Sequence, residues 1–298
     1  MNSKRVLYAA LAGNLLVAAT KAAAAVITGS SAMLSEAIHS LVDSGDQVLL
    51  LYGLHRSKRP PHAKHPLGHG RELYFWSFVV ALMIFALGAG VTIYEGIHHI
   101  RHPEPIRNEL LNYIVLGFTF VFQGWSWLVA LREIKAAKGS RGVFEAFEHT
   151  KDPPAFMVFF EDSADLLGVM IAAAAVFAST HLHLSIADGV GSILIGLILA
   201  AMAIGLARET KSLLIGEQAD PALRRSIAQI AKDVSNVEDV AVVLAVQLAP
   251  EEVLVVLRVR FPNNFRAPEL AEQIKTIERH VRRAHPEVVG LFVKPRNS

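Results

Sequence analysis

The stretch SEAIHSLVDSGDQVLLLYG, residues 35–53, decides how this sequence is interpreted. It is apolar enough to predict a buried helix, and yet it contains four ionisable residues, Glu36, His39, Asp43 and Asp46. His39 and Asp43 are four residues apart, so they lie one turn apart on the same face of a helix. An ionisable group at the centre of a membrane helix costs roughly 2.5–3.5 kcal/mol on insertion scales. Such a segment predicts a site in which the cost of burying these groups is offset by an interaction with a partner.

The composition is that of an α-helical membrane protein. Of the 298 residues, 52% are hydrophobic and 19% are charged, whereas a typical soluble domain is about 45–50% apolar and about 25% charged. The chain has no cysteine, which excludes disulfides and thiolate metal ligands and leaves His, Asp and Glu for any metal site. The net charge of +2 is small and its basic residues gather in particular loops. We therefore expect a lipid bilayer, and no nucleic acid, as a partner.

Six stretches are long enough to cross a bilayer, which takes about 20 apolar residues in a helix. They are residues 6–26, 32–54, 73–97, 111–131, 155–179 and 184–207. A secretory signal is the alternative for the first stretch, because Lys4 and Arg5 precede it and an alanine-rich region ends it. The prediction is a six-helix transmembrane domain over residues 1–207.

Lysine and arginine mark one side of the membrane. They concentrate before the first stretch, between the second and third, and between the fourth and fifth. Positive loops remain in the cytoplasm, so both termini are expected there. Because no long targeting extension precedes the first stretch, the expected location is a bacterial inner membrane.

The last part of the chain, residues 208–298, has the composition of a soluble domain. Asp220 followed by Pro221 predicts the start of a helix, because Asp is a good N-cap and proline suits the first helical position. The pattern continues with two strands, a second helix and a last strand, in the order αββαβ. They are expected over residues 221–234, 240–248, 253–261, 268–283 and 288–293. This order predicts a small cytoplasmic dimerisation or regulatory domain.

A pair of acids in another stretch repeats the four-residue spacing of His39 and Asp43. Glu161 and Asp165 lie in the fifth stretch. If the two faces meet, one nitrogen and several carboxylates converge, which suits Zn²⁺ or a similar divalent ion. The alternative is a proton path or hydrogen bonding between helices without metal. Glu36 and Asp46 are interpreted as packing or gating residues, and Asp162 is kept in reserve as a ligand.

Histidines form a second cluster in HAKHPLGHGR, residues 62–71, within the loop that follows the second stretch. His62, His65 and His69 have spacings of three and four, which is adequate for a shared metal site; solvated side chains are the alternative. The glycines at 68 and 70 predict a tight turn. A further set of histidines is interpreted as surface residues: His98, His99, His102, His181 and His183.

Several motifs together resemble the cation diffusion facilitator family. They are TGSSAMLSEAIHSLVDSGDQ, GHGRE, FFEDSADLLG and ADGVGSILIG, combined with six predicted spans and the αββαβ tail. SEAIHS and the Glu161–Asp162 pair are especially similar to the branch that includes an animal mitochondrial zinc transporter. The resemblance implies a homodimer that exchanges a divalent cation for protons by alternating access, with a ferredoxin-like, metallochaperone-like C-terminal domain. The transport site that it implies consists of His39, Asp43, Glu161 and Asp165, with Asp162 in reserve; His62, His65 and His69 form a secondary site.

The sequence departs from the family pattern in its ligand types. Many members have Asp at the position of His39 and His at the position of Glu161. Zn²⁺ is the expected cargo, but an oxygen-rich site also suits Mn²⁺ or Fe²⁺, so efflux of either ion is the alternative. The tail offers Arg258, Arg260 and Lys294 on its sheet, with His280 and His285 as its only histidines. A tail that dimerises without a binuclear zinc site is therefore expected.

Two other functional classes remain. A metal sensor or channel would bind the same ions without proton coupling. A membrane metalloenzyme is not expected, because the H-E-x-x-H pattern of intramembrane zinc proteases is absent from the sequence. We expect no permanently bound cofactor.

Overall fold

The computed structural model of the protein describes residues 3–28, 31–102, 109–138, 151–182, 184, 186–262 and 266–296. For residues 28, 31–36, 38, 39, 109, 137 and 138 it describes the backbone alone. The chain divides into two compact units. One consists of Met1–Arg56 and Glu72–Lys211, and the other of Ser57–Arg71 and Ser212–Ser298. The sequence prediction places the domain boundary after residue 207, with the loop at 57–71 among the membrane helices, and this boundary stays a prediction.

Long helices make up the first unit. In chain order they are α1 (Ser3–Thr28), α2 (Ser31–Ser57), α3 (Glu72–Met83), α4 (Val91–Arg101), α5 (Glu109–Lys138), α6 (Pro153–His181) and α7 (Ala187–Ile215). A π-helical stretch, Ile84–Gly90, joins α3 to α4, so that Glu72–Arg101 is one helix of 30 residues. π-Helical turns often occur at functional sites.

Five helices of the described chain are long and apolar enough to cross a membrane. They are Ser3–Ile27, Glu72–Arg101, Leu110–Ala136, Pro153–His181 and Ala187–Ile215. These correspond to five of the six predicted spans. The predicted second span is α2, which is long enough at 27 residues but carries the ionisable side chains that lower its hydropathy. Its role as a sixth span stays a prediction.

The interior of this bundle is built mainly from alanine and aliphatic side chains. α5 packs against α1 and α6. A cluster of buried residues from several helices forms the core: Val6, Leu7, Ala10, Leu50, Val80, Ala81, Ile84, Ala130, Ala155, Met157, Val158, Ala203 and Leu206. Small residues let membrane helices approach closely, so dispersion contacts can hold them together where lipid provides no hydrophobic driving force.

Two glycines allow a close contact between α4 and α7. A Cβ atom on Gly96 would lie 2.8 Å from the carbonyl oxygen of Gly189 and 2.8 Å from the side chain of Ile193. In the reverse direction, a Cβ on Gly189 would lie 2.6 Å from the carbonyl oxygen of Gly96. The two backbones therefore touch, and any larger residue would separate them.

The second unit contains the elements predicted for the tail, in the predicted order. They are α8 (Pro221–Lys232), β1 (Asp239–Ala249), β2 (Glu252–Arg260), α9 (Ala267–Ala284) and β3 (Val288–Arg296). β1 pairs antiparallel with β2, and β2 pairs parallel with β3. Asp220 caps α8 as expected, because its side chain accepts a hydrogen bond of 2.6 Å from the backbone N–H of Ala222.

Both helices of the tail cover one face of this sheet. Val253, Val255, Leu257 and Val259 alternate along β2 and are all buried, and side chains two apart on a strand point to the same face. Ile227 of α8 and Ile277 of α9 belong to the same buried cluster. The result is a two-layer domain with a single apolar core.

The histidine loop, Ser57–Arg71, belongs to this second unit. Gly68 has a φ of +79°, which requires glycine and forms the turn that the sequence predicted. A Cβ on Gly70 would lie 2.7 Å from the Cβ of Ala249 and 2.9 Å from Oε2 of Glu252. The loop therefore packs against the turn between β1 and β2, which explains its grouping with the tail.

Candidate metal centre

A small cavity lies among the helices of the first unit, with a volume of about 30 Å³. Cavities of this size hold one or two water-sized particles. Its wall combines apolar side chains with four carboxylates: Val42, Asp43, Asp46, Met83, Ile84, Leu87, Gly88, Glu161, Asp165 and Leu199. α2 and α6 supply the acids, whereas the π-helical stretch and α7 supply most of the apolar wall. The described lining contains no lysine or arginine.

Three of the four predicted transport ligands meet at this cavity. Asp43 on α2 faces Glu161 and Asp165 on α6, although more than a hundred residues separate them in the chain. The fourth, His39, has its backbone in α2 one turn before Asp43, but its side chain lies outside the described part of the structure. The predicted meeting of the two helix faces is therefore observed for the three carboxylates. Their binding of a metal stays a prediction.

Asp162, the reserve ligand, points elsewhere. Its side chain is only 2% exposed and accepts a hydrogen bond of 2.6 Å from Oγ of Ser126 on α5. One residue corresponds to a rotation of about 100° around a helix, so Asp162 cannot share the direction of Glu161. It is absent from the described wall of the cavity.

Asp46 was assigned to packing or gating, and the structure places it in the wall of the cavity. Its side chain is 4% exposed. Its Oδ1 atom is buried and has no hydrogen-bond partner among the described residues. The spacing of three residues from Asp43, which puts both on one helix face, was the sequence signal for this position.

Amide side chains hold two of the carboxylates in place. Asn14 Nδ2 on α1 donates to Gln47 Oε1 at 3.1 Å, and Gln47 Nε2 donates to Glu161 Oε2 at 3.1 Å. Gln123 Nε2 on α5 donates to Asp165 Oδ2. All three amide residues are buried. Hydrogen bonds of this kind orient ligands and support their charge.

The histidine loop forms a tighter group of potential ligands. Nitrogens of His62, His65 and His69 all lie within 4.8 Å of one another, and Nε2 of His62 is 3.1 Å from Nε2 of His69. Nitrogens around a tetrahedral zinc ion lie about 3.3 Å apart, given bonds of about 2.0–2.1 Å. Backbone hydrogen bonds between His62 and His65, of 3.2 and 2.9 Å, hold the loop in this form. No described carboxylates of the cavity approach one another in such a triplet.

The membrane helices match a known domain. Residues 7–215 match the cation efflux transmembrane domain. The chain belongs to the cation diffusion facilitator family. It is accordingly an integral membrane protein, as its apolar helices indicate.

Curated members of this family extend beyond the matched segment. Metal tolerance protein C4 of Arabidopsis thaliana is 35% identical over 221 residues, which is 74% of this chain and 48% of that protein. The mitochondrial proton-coupled zinc antiporter SLC30A9 of Xenopus laevis is 34% identical over 198 residues, 66% of this chain and 35% of that protein. The manganese efflux system protein MneP of Bacillus subtilis is 21% identical over 223 residues, 74% and 71% of the two chains. The chain thus spans half or less of the length of the first two relatives. Its similarity to them confirms the resemblance to the zinc antiporter branch.

The remaining histidines of this family member make separate contacts. His99 Nδ1 lies 3.1 Å from Oδ2 of Asp188, and the ring of His98 lies 5.2 Å from that of His102. His181 stacks on Phe177 at 4.7 Å, and His183 lies outside the described residues. These contacts are compatible with the surface role predicted for them.

In the tail, His285 contacts Ser226 and Glu287 instead of other histidines. The described residues of the tail contain no group of three close metal ligands. The expectation that the tail has no binuclear zinc site stays a prediction.

Proposed function

We propose that this chain is a divalent cation efflux transporter that exchanges its cargo for protons by alternating access, without an enzymatic reaction or a permanent cofactor. The observation that carries the proposal is the convergence of Asp43, Asp46, Glu161 and Asp165 on one cavity inside membrane helices. Buried carboxylates repel one another and are costly in a membrane. A divalent cation neutralises two of these charges, and protons take its place on the carboxylates when the cation leaves.

Competition for the same oxygens supplies the coupling. A carboxylate or imidazole must lose its proton to bind a metal, so cation binding releases protons. Proton entry from the far side then expels the cation. By the family resemblance His39 joins Asp43, Glu161 and Asp165 as a ligand and carries protons near neutral pH. The amide donors Gln47 and Gln123 keep the two acids of α6 aimed at the cargo.

The topology of the proposal has six spans, with α2 as the sixth. Lysine- and arginine-rich loops then lie on the cytoplasmic side together with both termini and the ferredoxin-like tail. We propose that two copies form the homodimer typical of the family and that their helices rock to expose the cavity alternately to each side. A bacterial inner membrane is the proposed location. The mitochondrial location belongs to the names of longer relatives.

Zinc is the proposed cargo, with manganese or iron(II) as the alternative. Zinc is supported by the name of the SLC30A9 relatives, and manganese by the name of MneP. Imidazole favours Zn²⁺, whereas carboxylates also suit Mn²⁺. His62, His65 and His69 are proposed as a secondary site that binds metal in the loop.

The test uses the full-length protein in sealed proteoliposomes that contain a metal-sensitive dye and a pH-sensitive dye. We expect zinc movement to drive proton movement in the opposite direction. Asp43→Ala and His39→Ala should each reduce the rate of zinc transport at least ~100-fold, because each removes a ligand. Loss of a contact that only supports a ligand costs about 10–100-fold. Glu95→Gln, at an exposed acid of α4 away from the cavity, is the matched control.

The outcomes separate the candidate functions. Zinc movement without any proton movement identifies a channel, and zinc binding without movement identifies a sensor. Wild-type rates in the Asp43→Ala and His39→Ala proteins would contradict the proposed site.

A further inference from the structure

Asp46 differs from the two acids that α6 contributes to the cavity in what it contacts. Glu161 and Asp165 each accept a hydrogen bond from a buried amide. Asp46 is as buried as Glu161, at 4% exposure, yet its buried Oδ1 has no hydrogen-bond partner among the described residues. Buried polar atoms are satisfied in the great majority of cases, so an unsatisfied carboxylate oxygen in a cavity wall is available to a bound water or ion.

We propose that Asp46 is a further ligand of the transported cation and shifts the preference of the site toward cations that take six oxygen-rich ligands, such as Mn²⁺. This inference rests on the proposed transport function. It goes beyond the transport site implied by the family resemblance, which contains His39, Asp43, Glu161 and Asp165, with Asp162 in reserve.

The number of available ligands supports this preference. Zinc is satisfied by four ligands in a tetrahedron. Asp46 adds a fourth carboxylate to Asp43, Glu161 and Asp165, so together with His39 the site offers five ligand residues, one more than zinc needs. Mn²⁺ prefers octahedral sites built from carboxylates and other oxygens. A surplus carboxylate therefore favours Mn²⁺ more than Zn²⁺.

Asp46 has the position that this role requires. It follows Asp43 by three residues, which places it on the same helix face and about 4.5 Å further along α2. Asp162 provides the contrast, because it is just as buried but is held by Ser126 and does not line the cavity. The two acids make a matched pair for an experiment.

The transport test compares Zn²⁺ and Mn²⁺ in proteoliposomes that contain the full-length protein. We expect Asp46→Asn to reduce kcat/KM for Mn²⁺ about 10-fold or more and for Zn²⁺ less than about 3-fold. The ratio of the two should therefore shift toward zinc. Asp46→Glu should restore the wild-type ratio, and Asp162→Asn should leave the ratio unchanged whatever it does to the absolute rates. An unchanged ratio in Asp46→Asn overturns the inference.

A binding measurement separates this inference from the transport proposal. Free Mn²⁺ is measured by electron paramagnetic resonance with the purified protein, in a background of His62→Ala, His65→Ala and His69→Ala that removes the loop site. We expect Asp46→Asn to weaken Mn²⁺ binding about 10-fold or more. If the wild type moves no ion but Mn²⁺ binding depends on Asp46, the transport proposal is wrong and the assignment of Asp46 as a ligand is supported. If transport occurs and Asp46→Asn does not affect Mn²⁺ binding, the assignment of Asp46 as a ligand is wrong and the transport proposal is supported.

Discussion

Gln47 of α2 donates a hydrogen bond of 3.1 Å to Glu161 of α6, and this contact joins the two helices that carry the candidate ligands. Gln47 in turn accepts a hydrogen bond of 3.1 Å from Asn14 of α1. The chain Asn14–Gln47–Glu161 therefore extends from a helix without candidate ligands to a carboxylate in the cavity wall. A polar chain inside a membrane bundle has no water to replace a lost partner, so its members should act together.

Loss of this chain should weaken cation binding. We expect Gln47→Leu to raise the KM for zinc about 10- to 100-fold, because Glu161 then loses the donor that orients it. The measurement is initial zinc uptake into proteoliposomes across a range of zinc concentrations. Asn14→Leu should have a smaller effect, and the double variant should cost less than the sum of the two free-energy changes. Additive effects would show that the two amides act independently.

The contact between α4 and α7 should tolerate no side chain. Gly96→Ala places a Cβ atom 2.8 Å from the carbonyl oxygen of Gly189, so the helices must separate. We expect a loss of roughly 1–3 kcal/mol of stability, the usual cost of overpacking. The measurement is the thermal midpoint of the purified protein in detergent. Gly117→Ala on α5 is the control, because a Cβ there meets nothing within 4 Å; equal midpoints for both variants would contradict the prediction.

The histidine loop should bind one zinc ion. Its nitrogens lie within 4.8 Å of one another, so little rearrangement is needed. We expect His69→Ala to weaken zinc binding at this site at least ~10-fold, and acid pH to release the ion, because protonated imidazole cannot act as a ligand. Isothermal titration of the full-length protein in an Asp43→Ala background isolates the loop. His181→Ala removes an exposed histidine that stacks on Phe177 and serves as the control; equal weakening by both variants would remove the loop from consideration.

The tail should lose stability as pH rises past the usual carboxylate range. Burial raises the pKa of Glu252, so its carboxyl holds a proton in the folded protein at pH values where the unfolded chain has lost it. Because the folded state binds more protons there, stability falls as pH rises through the interval between the ordinary glutamate pKa and the raised one, and is constant above it.

Glu252→Gln should remove this part of the pH dependence of thermal unfolding. The effect is small, since the carboxyl is partly exposed to solvent. The neighbouring Glu251 is exposed, and Glu251→Gln is the matched control. The same pH profile in the wild type and in Glu252→Gln would contradict the prediction.

Much of the fold could be predicted because its signals are local. Hydropathy alone located five helices capable of spanning a membrane, and strand alternation with the Asp220–Pro221 cap located every element of the tail. The contact of the histidine loop with the tail has no such local signal. Gly70 packs against Ala249 of β1, and a contact between residues so far apart in the chain leaves no local pattern that could predict it.

The candidate site also has a part that the sequence predicted and a part that it did not. The four-residue spacing in two apolar helices was sufficient to select Asp43, Glu161 and Asp165, because spacing on a helix determines which residues share a face. Only the tertiary structure decided that these faces meet and that Asp46 lies in the same cavity wall. It also decided that Asp162 turns toward Ser126. The amides that support the acids, Asn14, Gln47 and Gln123, were likewise visible only in the tertiary structure. Helix periodicity is a property of neighbouring residues, whereas the rotation of each helix and its partners depend on packing across the whole bundle.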